Sequence, residues 1–254
     1  MWRSECWQAK QTFEGERLAE TRKIQWADRL TAILLPAMQQ RIEQDGAEGS
    51  GAYNFYVQRV ARGKVFLEYE IALAEKLLSC GLDIKHVHEV GCGFGQLVFL
   101  LGWNGFRAVG FEANPDRART AQRLQTILNL ADARLTRNVT ILSKAFPARG
   151  PRLPEAGAMV VTTNLVTSAT VAERRAFVRG MRRYRFVVID AQRFFDLRTE
   201  PDSEHETLAF FAEAGFASPQ LFLDLGLGGR YYLFEGPVPP KYQWLQSLRR
   251  RLFT

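Results

Sequence analysis

Residues 87 to 95 read Val-His-Glu-Val-Gly-Cys-Gly-Phe-Gly, and this stretch restricts the fold more than any other. An apolar run carries an acid, Glu89, and glycines follow at alternate positions, Gly91, Gly93 and Gly95. The run from Gln96 to Trp103 then reads as a helix. Glycine enters tight turns without steric cost and lets a ligand approach where a Cβ would otherwise stand. The pattern predicts a buried parallel strand, a sharp loop and a helix N-terminus, with a cofactor at the strand's carboxyl end.

Two cofactor classes use such a loop. The dinucleotide fingerprint, Gly-x-Gly-x-x-Gly, needs a glycine at position 96, which is Gln96; the third glycine stands one residue early, at Gly95. Phe106 to Phe111 reads as a second strand and ends at Glu112. An acid there accepts hydrogen bonds from both ribose hydroxyls of an adenosine, in either class. Ala113-Asn114-Pro115-Asp116 opens a helix, with Pro115 near its first turn. In order and spacing, Val87 to Arg123 resembles the class I S-adenosylmethionine-dependent methyltransferases. The resemblance implies that S-adenosylmethionine is the cofactor and S-adenosylhomocysteine the product. It also implies that Glu89 orients the loop and the cofactor's amino group, and that Gly91, Cys92, Gly93 and Gly95 make room for the methionine part. Glu112 and Ala113 belong to the nucleoside side. Cys92 reads as a small filler of the loop rather than a nucleophile.

The rest of the chain alternates. Strands are expected at about 86–90, 106–112, 138–142, 158–163 and 185–190, with helices from about 95, over 115–130, over 170–183 and over 203–215. Such alternation implies a parallel sheet with helices on both faces. Gln220 to Leu225 and Arg230 to Phe234 flank Gly226-Leu-Gly-Gly229 and read as a hairpin. The expected fold class is therefore α/β, a seven-stranded Rossmann-like methyltransferase sheet of five parallel strands plus a C-terminal antiparallel hairpin. Ordinary dinucleotide folds lack the antiparallel last strand. Upstream, Ile24, Leu30, Ile33, Leu34, Met38 and Ile42 follow helical spacing, with Pro36 as an expected kink. Residues 52–79 read as a long helical region broken near Gly63. The expected organisation is an N-terminal helical extension or lid at 1–72, a methyltransferase domain at 73–236 and a basic amphipathic tail at 237–254.

Ligands of open α/β sheets bind outside the carboxyl ends of the strands. The third strand runs into Ser143-Lys144-Ala145-Phe146, where many members of the family carry an acid for the adenine amino group. Here adenine is expected against backbone at Lys144 and Ala145 and against the Phe146 ring. The fourth strand runs into Thr162-Thr163-Asn164-Leu165. Asn164 reads either as a cofactor contact or as a turn residue capping the next segment. Asn164-Leu165-Val166 lacks the Pro-Pro-aromatic sequence that follows Asn or Asp in methyltransferases of exocyclic base amines.

Methyl transfer to an oxygen or nitrogen can require a base. His205, after the polar loop 192–202, and Asp190, at the end of the fifth strand, are the candidates. His88 stands where the family has a core aliphatic and reads as a buried structural histidine. Tyr53, Tyr56, Arg59 and Arg193 are the candidates for an acceptor pocket, with core packing as the alternative for the aromatic residues. No triad of carboxylates suggests a metal, so no metal is expected.

The chain carries a net charge of +7, of which +4 lies in the acid-free tail from Pro237 to Thr254. The remaining 236 residues are close to neutral, which argues against a nucleic-acid partner. In the tail, Trp244, Leu245, Leu248 and Leu252 share a helical face beside Arg249, Arg250 and Arg251. Such a tail packs on its own domain, stays solvated or makes weak contact with an anionic membrane surface. Three widely spaced cysteines and the lack of an apolar leader suggest a reducing, cytoplasmic setting. The reading is a methyltransferase acting on a small molecule, such as a natural-product or sugar-derived intermediate. The alternatives are an RNA or protein methyltransferase and a catalytically silent nucleoside-binding scaffold of the same fold.

Overall fold

Strands 158–162 and 186–190 are apolar at nearly every position, which suits strands covered on both faces. In the computed structural model they lie at the centre of a seven-stranded sheet. The structure describes residues 27–44, 51–147, 158–163, 165, 170–194 and 202–236. Asn164, residues 1–26 and the tail 237–254 lie outside the described residues, as does the side chain of Tyr53. The strands are β1 (His86–Val90), β2 (Arg107–Glu112), β3 (Val139–Ser143), β4 (Ala158–Thr162), β5 (Phe186–Asp190), β6 (Gln220–Asp224) and β7 (Arg230–Glu235). Their order is β3-β2-β1-β4-β5-β7-β6. The first five are parallel, and β7 runs antiparallel between β5 and β6. The expected sheet is therefore present, with each strand within a residue or two of its expected bounds.

Helix α1 spans 27–44, followed by α2 (Gly51–Ala61), α3 (Glu68–Ser79), α4 (Gln96–Trp103), α5 (Pro115–Ala131), α6 (Val171–Met181) and α7 (Asp202–Glu213). Seven consecutive residues of α4, Gln96 to Gly102, are buried, so this helix lies inside the molecule rather than on it. Gly110 of β2 makes room for it: a Cβ there would meet Cys92 Sγ at 2.6 Å and Val98 at 3.0 Å. Helices α6 and α7 supply Val178, Met181, Phe210 and Phe211 to a core with Val160, Val187 and Ile189. Within it Phe211 stacks on Phe234 of β7 with centroids 4.4 Å apart. Each side chain of this size, fully buried, contributes about 1.5–3 kcal/mol. Asn114 starts α5 by accepting from the amides of Asp116 and Arg117, at 2.9 and 3.1 Å, with Pro115 at the first position.

The chain divides into two units between Phe66 and Leu67. This lies earlier than the expected boundary at 72, which falls inside α3; all of α3 belongs with the sheet. The carboxylate of Glu70 accepts from the Leu67 amide at 2.7 Å and fixes the start of that helix. In the first unit Leu30, Leu34 and Met38 are fully buried, as their spacing predicts. Helix α1 continues through Pro36, the residue at which a kink is expected. The proline ring is exposed, and the buried stripe on either side holds the helix together despite one lost backbone bond. The helical region after residue 51 is broken as expected, with Gly63 at φ +68° beyond the end of α2.

Candidate functional site

The glycine loop leaves β1 through two hydrogen bonds to β2. The amides of Gly91 and Cys92 donate to the Phe111 carbonyl at 2.8 and 3.1 Å. Gly91, Gly93 and Gly95 all lie in the left-handed region, at φ +76°, +57° and +86°. Side chains other than glycine rarely adopt that backbone, so the spacing seen in the sequence is a conformational requirement. Gly95 caps α4, and its carbonyl accepts from the Phe99 amide at 2.8 Å. A Cβ on Gly91 would stand 2.7 Å from Leu165, which follows β4 and closes over the loop.

Glu112 ties the loop to β2. It is almost completely buried. One carboxylate oxygen accepts from the Gly93 amide at 2.9 Å; the other accepts from the Asn114 amide at 2.8 Å and meets the Arg117 guanidinium at 3.1 Å. An ionised carboxylate has about four acceptor sites, so this group retains capacity for a ligand hydroxyl while already serving as a structural clamp. Beneath the loop Glu89 is buried, and the Thr163 hydroxyl at the end of β4 donates to it at 3.1 Å. Burial, reinforced by the charges of Glu89 and Glu112, pushes the Cys92 thiol well above its ordinary range. A thiol kept protonated in this way is a packing group, as expected.

Four further polar groups near the carboxyl edge are buried without hydrogen-bond partners among the described residues. They are the Gln96 amide nitrogen at the start of α4, the Thr162 hydroxyl, and both carboxylate oxygens of Asp190 together with the Tyr231 hydroxyl beside it. Asp190 and Tyr231 are direct register partners on β5 and β7. Burial raises the Asp190 carboxyl to about 6. The charge of Arg193 and the nearby amides of Gln192, Arg193 and Arg230 moderate that rise, although none of them completes a hydrogen bond to the carboxylate. Tyr231 is raised well above its ordinary value, by burial first and by Asp190 second. Buried polar groups normally find partners, so unmet ones at the carboxyl ends of the strands are candidates for ligand contact.

The remaining expected residues are placed less centrally. Ala113, Lys144 and Ala145 are exposed beyond β2 and β3. Phe146 packs on Phe111, Phe177 and Tyr184, so its ring is engaged by the protein itself. His205 is exposed on α7. The Arg193 guanidinium donates to the Gly228 carbonyl at 3.3 Å, joining the loop after β5 to the turn before β7. Tyr56 and Arg59 are buried in the first unit, where the Arg59 guanidinium donates to the Val65 carbonyl and closes the turn after α2. His88 is buried and bonded to the Tyr184 hydroxyl at 3.0 Å, with burial lowering it to about 4, as befits a structural histidine.

Gln96 and Tyr231 did not emerge from the sequence reading. Gln96 left a signal, since it is the one polar residue of an otherwise apolar helix. Tyr231 left none, because its significance depends on which strand lies beside β7.

No protein-family profile matches the chain, and no curated protein matches it. Solved structures do. A TehB-like S-adenosylmethionine-dependent methyltransferase from Corynebacterium glutamicum is similar over 76% of this chain and 100% of its own, with 12% identity and a TM-score of 0.54. Magnesium protoporphyrin IX methyltransferase from Synechocystis, with bound S-adenosylhomocysteine, is similar over 85% of this chain and 99% of its own, with 15% identity and a TM-score of 0.53. The glycopeptide N-methyltransferase MtfA, in complex with S-adenosylmethionine, is similar over 65% and 86%, with 12% identity and a TM-score of 0.50. The fold is that of the class I S-adenosylmethionine-dependent methyltransferases.

Proposed function

We propose that this chain, built on the class I methyltransferase fold, is an S-adenosylmethionine-dependent methyltransferase acting on a small-molecule acceptor. The observation that carries the reading is the glycine loop in three left-handed turns, locked to Glu112 at the carboxyl edge of the sheet. The residues present fit that cofactor. Glu89 and the loop Gly91-Cys92-Gly93 offer a glycine-lined cradle for its amino-acid part, and the unmet Gln96 amide offers a donor to its carboxylate. Glu112 has acceptor capacity for a ribose hydroxyl, with Ala113 beside it and with Lys144, Ala145 and Asn164 as the expected border of the adenine. The bound cofactor supplies a methyl group already activated on a sulfonium, so alignment is the protein's main task.

The acceptor side is assigned to Asp190 and Tyr231, with Arg193 at its border. A carboxyl raised to about 6 is suited to taking a proton from a hydroxyl or amine near neutral pH. His205, exposed on its helix, is the weaker base candidate. Tyr53, Tyr56 and Arg59 would belong to a lid formed by the N-terminal helices. Small-molecule acceptors are supported by the names of two structural neighbours, which act on a porphyrin and a glycopeptide.

Calorimetric titration tests the cofactor assignment. S-adenosylmethionine and S-adenosylhomocysteine should bind with dissociation constants on the order of micromolar, about −8 kcal/mol. Comparable or tighter binding of NAD would overturn the reading. Tight cofactor binding without turnover on a broad panel of alcohols, amines and carboxylic acids would favour the silent scaffold.

A further inference from the structure

Four of the five parallel strands of this sheet begin with cations or follow them. Lys85 and His86 lead into β1, Arg107 starts β2, Arg137 precedes β3 and Arg185 precedes β5. All but the half-buried His86 are exposed. Register places them along one edge: His86 pairs with Arg107 across β1 and β2, and the Arg185 amide donates to Ala158 at the start of β4. This is the amino edge, at the opposite end of the strands from the glycine loop.

A groove of about 520 Å³ opens there. It is lined by Ile84, Lys85 and His86 on one side and by Asn104, Gly105, Phe106 and Arg107 on the other. Three of these seven residues carry basic side chains and none is acidic. Asp83, the nearest acid in sequence, does not line the groove. Among the described residues neither Lys85 nor Arg107 is joined to a carboxylate. Their charges also act on His86, where burial first, then Arg107, then Lys85 lower the imidazole below its ordinary value. Like charges gathered without an acid concentrate positive potential in a concave place, which favours an anion. Neighbouring strands stand about 4.8 Å apart, so a guanidinium and an ammonium on adjacent strands can reach oxygens of one phosphate or of two linked phosphates.

We propose that the groove between the amino ends of β1 and β2 is a second ligand site, separate from the cofactor loop, that binds a phosphate-bearing anion through Lys85, His86 and Arg107. The phosphate is either that of a free compound of nucleotide size or that of a phosphodiester chain. A free compound fills the groove alone. A chain also runs along the edge over Arg137 and Arg185.

The probe is inorganic pyrophosphate, added at low salt to the full-length protein without cofactor and followed by the ring resonances of His86. Saturable movement of these signals is expected, with the titration midpoint of His86 moving upward as the anion offsets the two cations. Lys85→Ala and Arg107→Ala, both exposed and outside the core, should each weaken binding by roughly tenfold. Arg119→Ala, at the start of α5 on the opposite edge, should leave it unchanged. A single-stranded oligonucleotide distinguishes the two sources. Binding tighter than pyrophosphate, weakened by Arg137→Ala and Arg185→Ala, identifies a phosphodiester chain; dependence on Lys85 and Arg107 alone identifies a free phosphate compound. Two results overturn the proposal: His86 signals that respond to neither probe, or an equal loss of binding in Arg119→Ala, which would mean diffuse attraction to net charge. Neither outcome bears on cofactor binding, which is titrated separately.

Discussion

Replacing Asp190 by Asn should stabilise the protein at neutral pH and leave it nearly unchanged in acid. The carboxyl is 1% exposed at the end of β5, neither oxygen has a hydrogen-bond partner among the described residues, and its value rises from 3.8 to about 6 on folding. Between these values the folded chain holds a proton that the unfolded chain has released. Stability therefore falls as pH rises through the window from about 4 to about 6, and the loss is complete above it. A rise of roughly two pH units corresponds to about 3 kcal/mol, at about 1.36 kcal/mol per unit. Asn has similar shape and no charge, so the variant should escape that loss. For a chain of this size, about 3 kcal/mol corresponds to roughly 6–12 °C in the unfolding midpoint at about pH 7.5, shrinking toward zero near about pH 4. Thermal and urea unfolding of both proteins across that range provide the measurement. A constant offset between the two curves would show that Asp190 does not titrate in the window. A variant less stable at neutral pH would show that the carboxylate is held as a charged group, and the account of unmet oxygens would fail. The reasoning also links stability to chemistry, because the same burial that destabilises the fold raises the proton affinity of a candidate base.

Glu112→Ala should weaken cofactor binding by about 1.5–3 kcal/mol and lower stability by about 1–3 kcal/mol, because it strands the buried Gly93 amide. Glu112→Gln keeps one acceptor and should recover more of the stability than of the affinity; an Ala variant with an unchanged unfolding midpoint would refute the clamp. Deletion of residues 240–254 should leave cofactor affinity nearly unchanged and reduce co-sedimentation with anionic vesicles, at about 1 kcal/mol for each basic residue near the surface. Equal sedimentation of the truncated and full-length proteins would remove the membrane contact, and a large loss of cofactor binding would place the tail within the catalytic unit.

The sequence by itself determined the elements and the backbone of the glycine loop. Strand and helix periods are properties of neighbouring residues, so the alternation from β1 to α7 and the closing hairpin could be read directly. Alternate glycines after β1 announce left-handed backbone, because that is a local consequence of chain chemistry. Periodicity also identified the buried stripe Leu30, Leu34 and Met38, but not whether the helix would survive Pro36, which depends on what those side chains pack against. Tertiary structure alone decided the rest. Glu112 became a buried clamp because β2 lies beside β1, where the Gly93 amide can reach it. Asp190 became an unmet carboxylate facing Tyr231 because β7 inserts antiparallel between β5 and β6. Lys85, His86 and Arg107 line one groove because parallel strands place their first residues side by side. Each of these meetings joins residues far apart in the chain. Strand order and register set them, and no local pattern of residue types encodes either.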